Sequence, residues 1–302
     1  MPSGVSRPDF SHLSAYVSSP QVTRYFCPKC GAYVGNIEPD EWEFASGILN
    51  STEGLLDRVQ MWIEDTKDGG ASIWLKKGHG TNPTRHLRDR KSSEATDSFI
   101  VDLSQNSKQQ VSSTSRPPSL KGSCDCGAVS FFLQPPTPPS SSETTSTPQR
   151  YPAFLDACTS CRLTSGFEIA CWIRAPQSHL FHASPNPSDA SPSPSSKQDE
   201  NPNLNYPLTP TNPSLLHYSS SPGVDRYSCK TCTASAFYVN DKNRGESVDV
   251  AMGLLRAESG ARAEEWLDWK RGPEFAEEGT DAVFVAALEE GMRHLPEDET
   301  GA

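Results

Sequence analysis

The cysteines of this chain are grouped in a way that favours metal binding. Nine cysteines occur, and all but one fall in close pairs, namely Cys27 and Cys30, Cys124 and Cys126, Cys158 and Cys161, and Cys229 and Cys232. Zinc takes four ligands in a tetrahedron, and a close pair on a tight turn supplies two thiolates with little loop entropy to lose. The odd number of cysteines also fits disulfides poorly. The spacing therefore predicts metal ligands rather than disulfide partners.

Two of these pairs form the first predicted site. Cys124 and Cys126 stand in SCDCGA, where Gly127 favours a tight turn because glycine reaches positive φ without a Cβ clash. Together with Cys229 and Cys232 they make a four-cysteine set, which is closed by a long excursion of the chain. Closed sites of this type stabilise a fold and rarely react. The alternative is that the four are buried or redox cysteines without a metal.

A third pair has no second pair of thiols to complete it. Asp156 stands two residues before Cys158 in FLDACTSCRLTSG, in the same relation as Cys124 to Cys126, and a carboxylate is an acceptable zinc ligand. Asp156, Cys158 and Cys161 would give three protein ligands and one open position, the pattern of a catalytic zinc that binds water or a substrate thiolate. Two alternatives stay open: a thioredoxin-like redox pair, for which no matching βαβ pattern exists, and a degenerate site without metal.

Composition limits the classes of function. Apolar residues make up 34% of the 302 residues and 26 residues are proline, so the folded part is expected to be smaller than the chain. The formal charge of -11 disfavours nucleic acid partners, including those of a zinc ribbon, and anionic membranes, because either needs a basic face. No apolar run reaches the length of a signal peptide or of a membrane span. We therefore expect a soluble intracellular protein of the cytoplasm.

Short β-strands are the predicted scaffold, and the fold class is mostly β. Runs of β-branched and aromatic residues broken by glycine and proline indicate antiparallel strands at 129–133, 167–175, 234–239 and 247–255. Serine- and proline-rich composition predicts disordered inserts at about 134–150 and 183–222, which cannot bury enough apolar area to offset the entropy of ordering. One helix is expected after Thr280 and Asp281, and its docking face would carry Phe284, Leu288, Met292 and Leu295.

An internal repeat links the two ends of the chain. SSPQVTRYFCPKC, starting at Ser18, aligns with SSPGVDRYSCKTC, starting at Ser220, and the two runs share Ser, Ser, Pro, Val, Arg, Tyr and both cysteines. Further on, Gly47 stands where Gly253 stands in the second copy. The chain is therefore expected to hold two related units, of which the first lacks the cysteines that precede Cys229 in the second.

Taken in order, the motifs of the second unit resemble one known family. These motifs are Cys124-Asp125-Cys126-Gly127-Ala128-Val129, Cys158-Thr159-Ser160-Cys161-Arg162 with Ser165-Gly166, Trp172-Ile173-Arg174, and Tyr227-Ser228-Cys229-Lys230-Thr231-Cys232. The order is similar to that of the glutathione-dependent formaldehyde-activating enzyme family, which includes centromere protein V, over about 120–272. The resemblance implies a zinc-bound β-tent fold with one four-cysteine structural zinc. It also implies a second zinc, held at the active site by a C-x-C-x-x-C motif.

The resemblance assigns site residues position by position. The structural zinc ligands match Cys124, Cys126, Cys229 and Cys232. Two of the three active-site ligands match Cys158 and Cys161, and the family's first active-site cysteine falls on Asp156. This change alters the hardness and charge of the ligand and predicts weaker zinc binding. We expect these three residues to be the catalytic set. Arg162 and Arg174 are candidates to hold a carboxylate of glutathione, and the favoured alternative is that each is a surface or strand-edge arginine.

The function implied by the resemblance is that of a zinc-dependent carbon–sulfur lyase. Characterised members of the family add glutathione reversibly to formaldehyde, as an S-(hydroxymethyl)glutathione synthase does. The expected mechanism has a zinc-bound glutathione thiolate whose sulfur attacks, or leaves, an aldehyde carbon. The expected partner is glutathione or another small thiol adduct, of formaldehyde or a similar electrophile. The alternative is a non-catalytic, zinc-stabilised binding module in which the Asp156 site has decayed.

The resemblance divides the chain into four segments. They are a partial unit that matches only the C-terminal half of the family's domain at 1–90, a disordered linker at 91–119, the complete zinc domain with its inserts at 120–275, and a helix and tail at 276–302. In the first unit Cys27 and Cys30 match the closing zinc knuckle without the cysteines that would complete it. Three explanations stay open: an empty knuckle, ligands borrowed from a second copy in a dimer, and a truncated chain start, which we favour. The strands of this unit would pack against the complete unit in a tandem interface.

The remaining candidates are assigned to packing or to the surface. Cys171 lies in an apolar strand and is expected to be a small buried residue. Trp266 and Trp269 are expected to anchor packing. No pairing at ligand spacing occurs among the histidines, which argues against metal binding by His79, His86, His179, His182 and His217.

Overall fold

The computed structural model describes residues 9–38, 41–54, 57–75, 83–113, 116–136, 149–182 and 206–293, and the protein there is mostly β. The first strands are β1 (Ser14–Ser19), β2 (Val22–Phe26), β3 (Tyr33–Ile37), β4 (Trp42–Phe44), β5 (Val59–Gln60) and β6 (Thr84–Arg85). They are followed by α1 (Asp97–Ser113), β7 (Leu120–Ser123), β8 (Ser130–Leu133), β9 (Tyr151–Asp156), α2 (Thr159–Ser165), β10 (Ala170–Pro176) and β11 (Leu180–Phe181). The last elements are β12 (Leu215–Ser221), β13 (Val224–Cys229), β14 (Ser235–Asn240), β15 (Ser247–Ala251), β16 (Leu267–Trp269) and α3 (Ala282–Arg293). The four predicted strands are confirmed as β8, β10, β14 and β15.

The core of the second unit lies between two sheets. The larger has seven strands in the order β12-β13-β14-β15-β10-β9-β16, antiparallel except for the parallel pair of β9 and β16. The smaller has three strands in the order β11-β8-β7. Phe131 of β8 meets Phe237 of β14 with ring centroids 5.4 Å apart, and Ile173 and Val250 are fully buried in the same core. Alternate apolar residues of these strands therefore bury one face of the large sheet.

The opposite face of the large sheet carries polar and charged side chains. Residues paired directly across adjacent strands lie on the same face of a sheet. The pairing of Ala170 with Asp156 and of Arg174 with Asp249 therefore places these side chains together, and the pairing of Tyr238 with Asp249 continues the face towards β13. We call this the polar face, and it carries Asp156, Trp172, Arg174, Asp249, Tyr238 and Arg226.

The internal repeat is confirmed by the strand order. β1-β2-β3-β4 form a four-stranded antiparallel sheet in the same consecutive order as β12-β13-β14-β15. The first hairpin of each copy carries a bulge near its turn. The same backbone bond closes both knuckles, since Cys27 N–H donates to Ala32 O and Cys229 N–H donates to Ala234 O, each at 2.9 Å.

The two units are in contact, as a tandem interface requires. The hydroxyl of Tyr16 in β1 donates to Asp125 Oδ2 at 2.7 Å, and Thr233 Oγ1 donates to the carbonyl oxygen of Gly31. Gly31 has a φ of +75°, and a Cβ at this position would lie 3.1 Å from the Cβ of Ser228. The knuckle of the first unit therefore packs directly beside the knuckle of the second.

The prediction of a disordered linker at 91–119 is wrong over most of its length. Asp97–Ser113 form α1, which packs its buried Ile100 against the 3-10 helix Gly70–Ile73. Thr96 caps the helix, because its Oγ1 accepts a hydrogen bond from Phe99 N–H at 3.2 Å. Burial of Ile100 and this cap offset the entropy of ordering, which composition alone predicted would dominate.

The prediction of a disordered insert at 183–222 is wrong at its C-terminal end. Leu215–Ser221 form β12, which pairs with β13 at the edge of the large sheet, and Leu215 is buried. Serine-rich composition concealed this strand because an edge strand needs few buried side chains. The rest of this insert up to 205, and 137–148 of the other predicted insert, lie outside the described residues.

The predicted C-terminal helix is confirmed as α3. Asp281 Oδ1 accepts a hydrogen bond from Phe284 N–H at 3.0 Å at its start, and Leu288 and Met292 are buried. Leu295 lies outside the described residues. Among the helices in the described parts of the chain, none combines the length and the apolar character that crossing a bilayer takes.

Candidate metal centres

Four cysteine sulfurs converge where the two sheets of the second unit meet. Cys124 and Cys126 lie in the turn between β7 and β8, Cys229 ends β13, and Cys232 lies in the turn that leads to β14. All four Sγ atoms lie within 4.8 Å of one another, and Cys126 Sγ is 3.5 Å from Cys229 Sγ. The structure thus brings together the four cysteines that their spacing predicted as one site.

The backbone around these sulfurs suits thiolate ligands. Gly127 has a φ of +77°, and its N–H donates to Cys124 O at 3.2 Å to close the first turn. Val129 N–H donates to Cys124 Sγ at 3.3 Å, and Cys232 N–H donates to Cys229 Sγ at 3.5 Å. Donors directed at sulfur favour its ionised form. Both turns therefore present their sulfurs ready to bind a cation.

Thiols packed this closely cannot all ionise without a cation. Hydrogen bonds with Cys124 and Cys232 raise the pKa of Cys229 above its usual range, whereas hydrogen bonds from Cys124 and Cys229 lower the pKa of Cys232. One thiolate is thus stabilised by neighbours that stay protonated. A divalent cation removes this conflict because it binds four thiolates at once. The four cysteines are therefore a suitable set of ligands for a divalent metal ion.

A second cluster forms where β9 ends and α2 begins. Asp156 is the last residue of β9, Cys158 is the N-cap of α2, and Cys161 lies in the first turn of that helix. Their three ligand atoms lie within 4.8 Å of one another. Asp156 and Cys161 are buried, and Cys158 is partly exposed. The three residues predicted from spacing are therefore brought together, with Cys158 nearest to solvent.

Hydrogen bonds hold the second cluster in shape. Cys158 N–H donates to Asp156 Oδ1 at 2.8 Å, Cys161 N–H donates to Cys158 Sγ at 3.2 Å, and Cys161 Sγ donates to Asp156 Oδ2 at 3.3 Å. The bond with Cys161 lowers the pKa of Cys158, while the bond with Cys158 and burial raise the pKa of Cys161. The cluster offers two sulfurs and one carboxylate oxygen. A tetrahedral ion bound here would have these three ligands, and its fourth position would be left to another molecule.

Arg226 on the polar face is a neighbour of this cluster that the sequence analysis missed. Its Nη1 and Nη2 each lie 3.5 Å from Cys161 Sγ, and Nη2 donates to Ser160 Oγ at 3.0 Å. Arg226 is 8% exposed, and its Cζ lies 4.9 Å from the ring centroid of Tyr238. A buried guanidinium here favours negative charge on the cluster. The sequence gives one indication of this residue, which is the repeat: Arg226 aligns with Arg24 of the first copy.

No known protein family, curated protein or solved structure matches this chain. The resemblance to the formaldehyde-activating family therefore rests on the motifs alone, and function has to be argued from the two clusters and their surroundings.

The two arginines that were expected to hold a substrate carboxylate have other partners. Arg162 is buried, and its Nη1 donates to the carbonyl oxygens of Gly47 and Leu49 in the first unit at 2.5 and 2.6 Å. Arg174 binds the carboxylate of Asp249 through two bonds of 2.7 and 2.9 Å. Arg162 therefore joins the two units, and the charge of Arg174 is already balanced by a carboxylate.

The first knuckle gathers no further ligands among the described residues. Cys27 and Cys30 are partly exposed and belong to no group of three or more potential metal ligands in that part of the chain. Cys171 points away from the second cluster, because it pairs with Leu155, one residue along the strand from Asp156. These three cysteines therefore lie outside both candidate centres.

The remaining candidates are the histidines and the tryptophans. None of the described histidines belongs to a potential metal-ligand group, and His79 lies outside the described residues. Trp266 is buried in the core, and Trp269 packs edge-on against Trp74 with ring centroids 4.9 Å apart. Both tryptophans anchor packing.

Proposed function

We propose that this chain is a zinc protein that forms and cleaves a carbon–sulfur bond, acting on the adduct of glutathione or a similar small thiol with formaldehyde or a related aldehyde. One observation carries the proposal: the ligand atoms of Asp156, Cys158 and Cys161 lie within 4.8 Å of one another and leave one tetrahedral position for another molecule. The four-cysteine set would hold the structural zinc of a β-tent fold, as the motifs of the second unit imply.

The residues of the cluster have distinct parts in this function. Zinc held there by Asp156, Cys158 and Cys161 would supply an open position and lower the pKa of a thiol bound at it. The backbone N–H groups of Cys158 and Cys161 fix the ligand atoms in place. Arg226 adds positive charge beside Cys161, which favours an anion at the site. Burial of Asp156 and Cys161 keeps water from two of the three ligands.

The reaction needs no redox partner. In one direction the thiolate sulfur attacks the aldehyde carbon, the carbon–oxygen double bond becomes a single bond, and the oxygen takes a proton from solvent. In the other direction the hydroxyl group loses that proton, the double bond re-forms, and the carbon–sulfur bond breaks to return aldehyde and thiolate.

A non-catalytic, zinc-stabilised binding module is the second candidate. It is favoured by the hydrogen bond of 3.3 Å from Cys161 Sγ to Asp156 Oδ2, which satisfies both groups without a metal. The carboxylate of Asp156 is also a harder ligand than the cysteine that the motifs of the resembling family place there. In this case the four-cysteine site alone would bind zinc.

Zinc stoichiometry separates the two candidates. The purified, reduced chain is expected to carry two zinc ions, falling to one in Asp156→Ala and in Cys158→Ala. Cys171→Ala is the matched control, because Cys171 lies on the other face of the same sheet and its loss should leave both ions. A single ion in the unchanged chain, unaffected by either cluster variant, would contradict the catalytic proposal.

Activity is then measured on the zinc-loaded chain. Formaldehyde is expected to consume the free thiol of glutathione faster than in the uncatalysed mixture, and dilution is expected to return it. Cys158→Ala, with its fold retained, should react no faster than the mixture without protein.

A further inference from the structure

A small cavity lies between the two units, next to the second cluster. Cys30 of the first unit forms one wall, and Trp172, Arg226 and Ser228 of the large sheet form others. Arg226 also lies 3.5 Å from Cys161 Sγ. The cavity and the cluster therefore share one side chain.

Two residues that line the cavity each carry a buried polar atom without a hydrogen-bond partner among the described residues. These atoms are Trp172 Nε1 and Ser228 Oγ, on residues that are 5% and 8% exposed. Buried polar groups without a partner are rare in folded proteins, and at a cavity wall they point to a ligand or an ordered water. An indole N–H can only donate, so the missing partner of Trp172 is an acceptor.

Arg226 brings a positive charge to the same cavity. Its partners in the described part of the chain are Ser220 Oγ, Ser160 Oγ and Cys161 Sγ, none of which is a carboxylate. A guanidinium has five N–H donors, and these contacts use four of them. One donor on Nη1 is therefore left for a further acceptor.

We propose that this cavity binds the carboxylate of the thiol substrate, with Arg226, Trp172 Nε1 and Ser228 Oγ as its donors. The inference rests on the proposed function, because the sulfur of the same molecule would lie at the Asp156 cluster. The two oxygens and the negative charge of a carboxylate match these three donors, one of which is the guanidinium, and charge-assisted hydrogen bonds are the stronger ones. The cavity thereby selects thiols that carry an acid group.

The first unit completes this site. Cys30 lines the cavity, and Gly31 packs against Ser228 so tightly that a Cβ at Gly31 would lie 3.1 Å from the Cβ of Ser228. Trp172 Nε1 and Ser228 Oγ are buried from bulk solvent, which strengthens their bonds to an anion. The incomplete copy of the repeat then contributes to the site of the complete copy.

The first test follows the indole N–H of Trp172 by nuclear magnetic resonance in the full-length, isotope-labelled protein. Its signal is assigned as the one that Trp172→Phe removes. Acetate, titrated at constant ionic strength, is expected to shift this signal in a saturable way. Arg226→Gln should weaken acetate binding about tenfold or more, and Arg226→Lys should recover part of the loss. Arg256→Gln, at an exposed arginine outside the cavity, is the control and should change nothing.

The result of this titration decides between a carboxylate and an ordered water as the occupant of the cavity. A Trp172 signal that does not respond to acetate, or responds equally in Arg226→Gln, overturns the proposal and leaves an ordered water as the occupant. If Arg226→Gln does not fold, Ser228→Ala decides, since it removes one donor and should weaken acetate binding on its own.

The second test compares two thiols on the cobalt-substituted protein. The cobalt–cysteine absorption of the protein alone is the baseline, and a change on adding a thiol reports a further sulfur bound at the cluster. Mercaptopropionate carries a carboxylate and mercaptoethanol does not. Mercaptopropionate is expected to bind about tenfold more tightly, and Arg226→Gln should abolish this preference. Equal binding of the two thiols overturns the carboxylate site and leaves the proposed function standing. Binding of neither thiol overturns the proposed function as well.

Discussion

The hydroxyl of Tyr16 ties the first unit to the turn that carries two of the four cysteines. It donates to Asp125 Oδ2 at 2.7 Å, and this hydrogen bond raises the pKa of Tyr16 to about 12. The tyrosine therefore stays a donor throughout the physiological range of pH. Because Asp125 lies between Cys124 and Cys126, the bond restrains both ligands at once.

Loss of this hydroxyl is expected to loosen the four-cysteine site. Tyr16→Phe should release zinc to a chelator up to about tenfold faster, with the zinc content unchanged, because the turn becomes freer to open. Tyr25→Phe is the matched control, since Tyr25 stacks on Phe10 with centroids 4.6 Å apart and keeps this contact as phenylalanine. Release is followed with a zinc indicator, and equal rates in the two variants would contradict a role for Tyr16.

At the same scale, the grouping of the candidate ligands was predictable from the sequence and their surroundings were not. Two thiols on one turn lie close together in any fold, so spacing alone named Cys158 and Cys161, and Asp156 with them. The sequence shows 27 lysines and arginines without showing which of them lack a carboxylate partner. The structure pairs Arg174 with Asp249 and places Arg226 beside Cys161. Whether an arginine has a carboxylate partner depends on contacts between distant parts of the chain, which the sequence does not show.

Two equivalent glycines of the repeat, Gly47 and Gly253, differ in how closely other parts of the chain approach them. Gly47 N–H donates to Gly166 O at 3.0 Å, and a Cβ at Gly47 would lie 2.5 Å from the carbonyl carbon of Phe167. A Cβ at Gly253 would meet no heavy atom within 4 Å. The close approach of backbones at the end of α2 therefore requires glycine in the first copy alone.

Substitution at these two positions tests the interface between the units. Gly47→Ala is expected to lower the free energy of unfolding by roughly 2–4 kcal/mol, because the backbones must separate to admit a methyl group. Gly253→Ala should stay within about 0.5 kcal/mol of the unchanged chain. Urea denaturation measures both, and equal stability of the two variants would show that the interface is not formed in solution.

Arg58 links the first unit to the ends of two helices. It forms ion pairs with Glu168, after α2, and with Asp281, before α3, the latter at 2.7 Å. Burial would raise the pKa of Glu168, but hydrogen bonds from Arg58 and Thr52 outweigh burial and lower it. A carboxyl group with a lowered pKa stabilises the fold above its unfolded pKa of about 4.3, and loses this contribution as the pH falls through its folded pKa.

Glu168→Gln is therefore expected to cost roughly 2 kcal/mol of unfolding free energy at neutral pH. The difference from the unchanged chain should shrink as the pH falls from the unfolded pKa of about 4.3 through the lower folded pKa, because the native carboxyl group then becomes protonated. Glu277→Gln, at an exposed glutamate of the neighbouring 3-10 helix, is the control. Denaturation at several pH values gives the comparison, and a cost that does not vary with pH would argue against the ion pair.

Elements with a strong local pattern were predictable, and those that depend on a distant partner were not. β10 and β14 follow from apolar and β-branched runs that suit a buried sheet. α1 was missed because its composition is polar and its burial centres on Ile100, whose partner is the 3-10 helix Gly70–Ile73. β12 was missed because an edge strand buries little beyond Leu215.

The four-cysteine site joins distant parts of the whole molecule. Cys126 and Cys229 are 103 positions apart in the chain, and their sulfurs are 3.5 Å apart. A metal ion at this point would link the three-stranded sheet to the large sheet. The bond from Tyr16 to Asp125 extends this link to the first unit. We therefore expect the metal to stabilise both units together.

Removal of zinc is expected to lower the Tm of the full chain by about 10 °C or more, because metal binding to such a site contributes directly to folding. Cys229→Ser should have the same effect, and Cys171→Ala, outside both clusters, should not. Circular dichroism and tryptophan fluorescence should report one shared transition. A Tm unchanged by removal of zinc would contradict a structural role for the site.

At this scale the number of units was predictable, but the way they meet was not. The repeated run around the two knuckles requires the same strand order in both copies, since its turns and cysteines fall at equivalent places. The contacts of Gly31 with Ser228 and of Arg162 with Gly47 join surfaces that carry no recognisable pattern in the sequence.

The presence of two similar knuckles has a consequence for how the chain is made. During synthesis Cys27 and Cys30 emerge first, and the SCDCGA turn follows well before Cys229. Until then the first knuckle, closed by the same backbone bond as the second, is available, besides the Cys158 and Cys161 pair, to share zinc with that turn. Such a complex would be a kinetic trap, which persists until the later cysteines displace the earlier ones.

Refolding should therefore be slower when zinc is present from the start than when it is added after the strands have paired. Replacing Cys27 and Cys30 together by serine should abolish this difference and leave the final zinc content unchanged. Equal refolding rates under both orders of addition would show that the nascent first knuckle never competes for the metal.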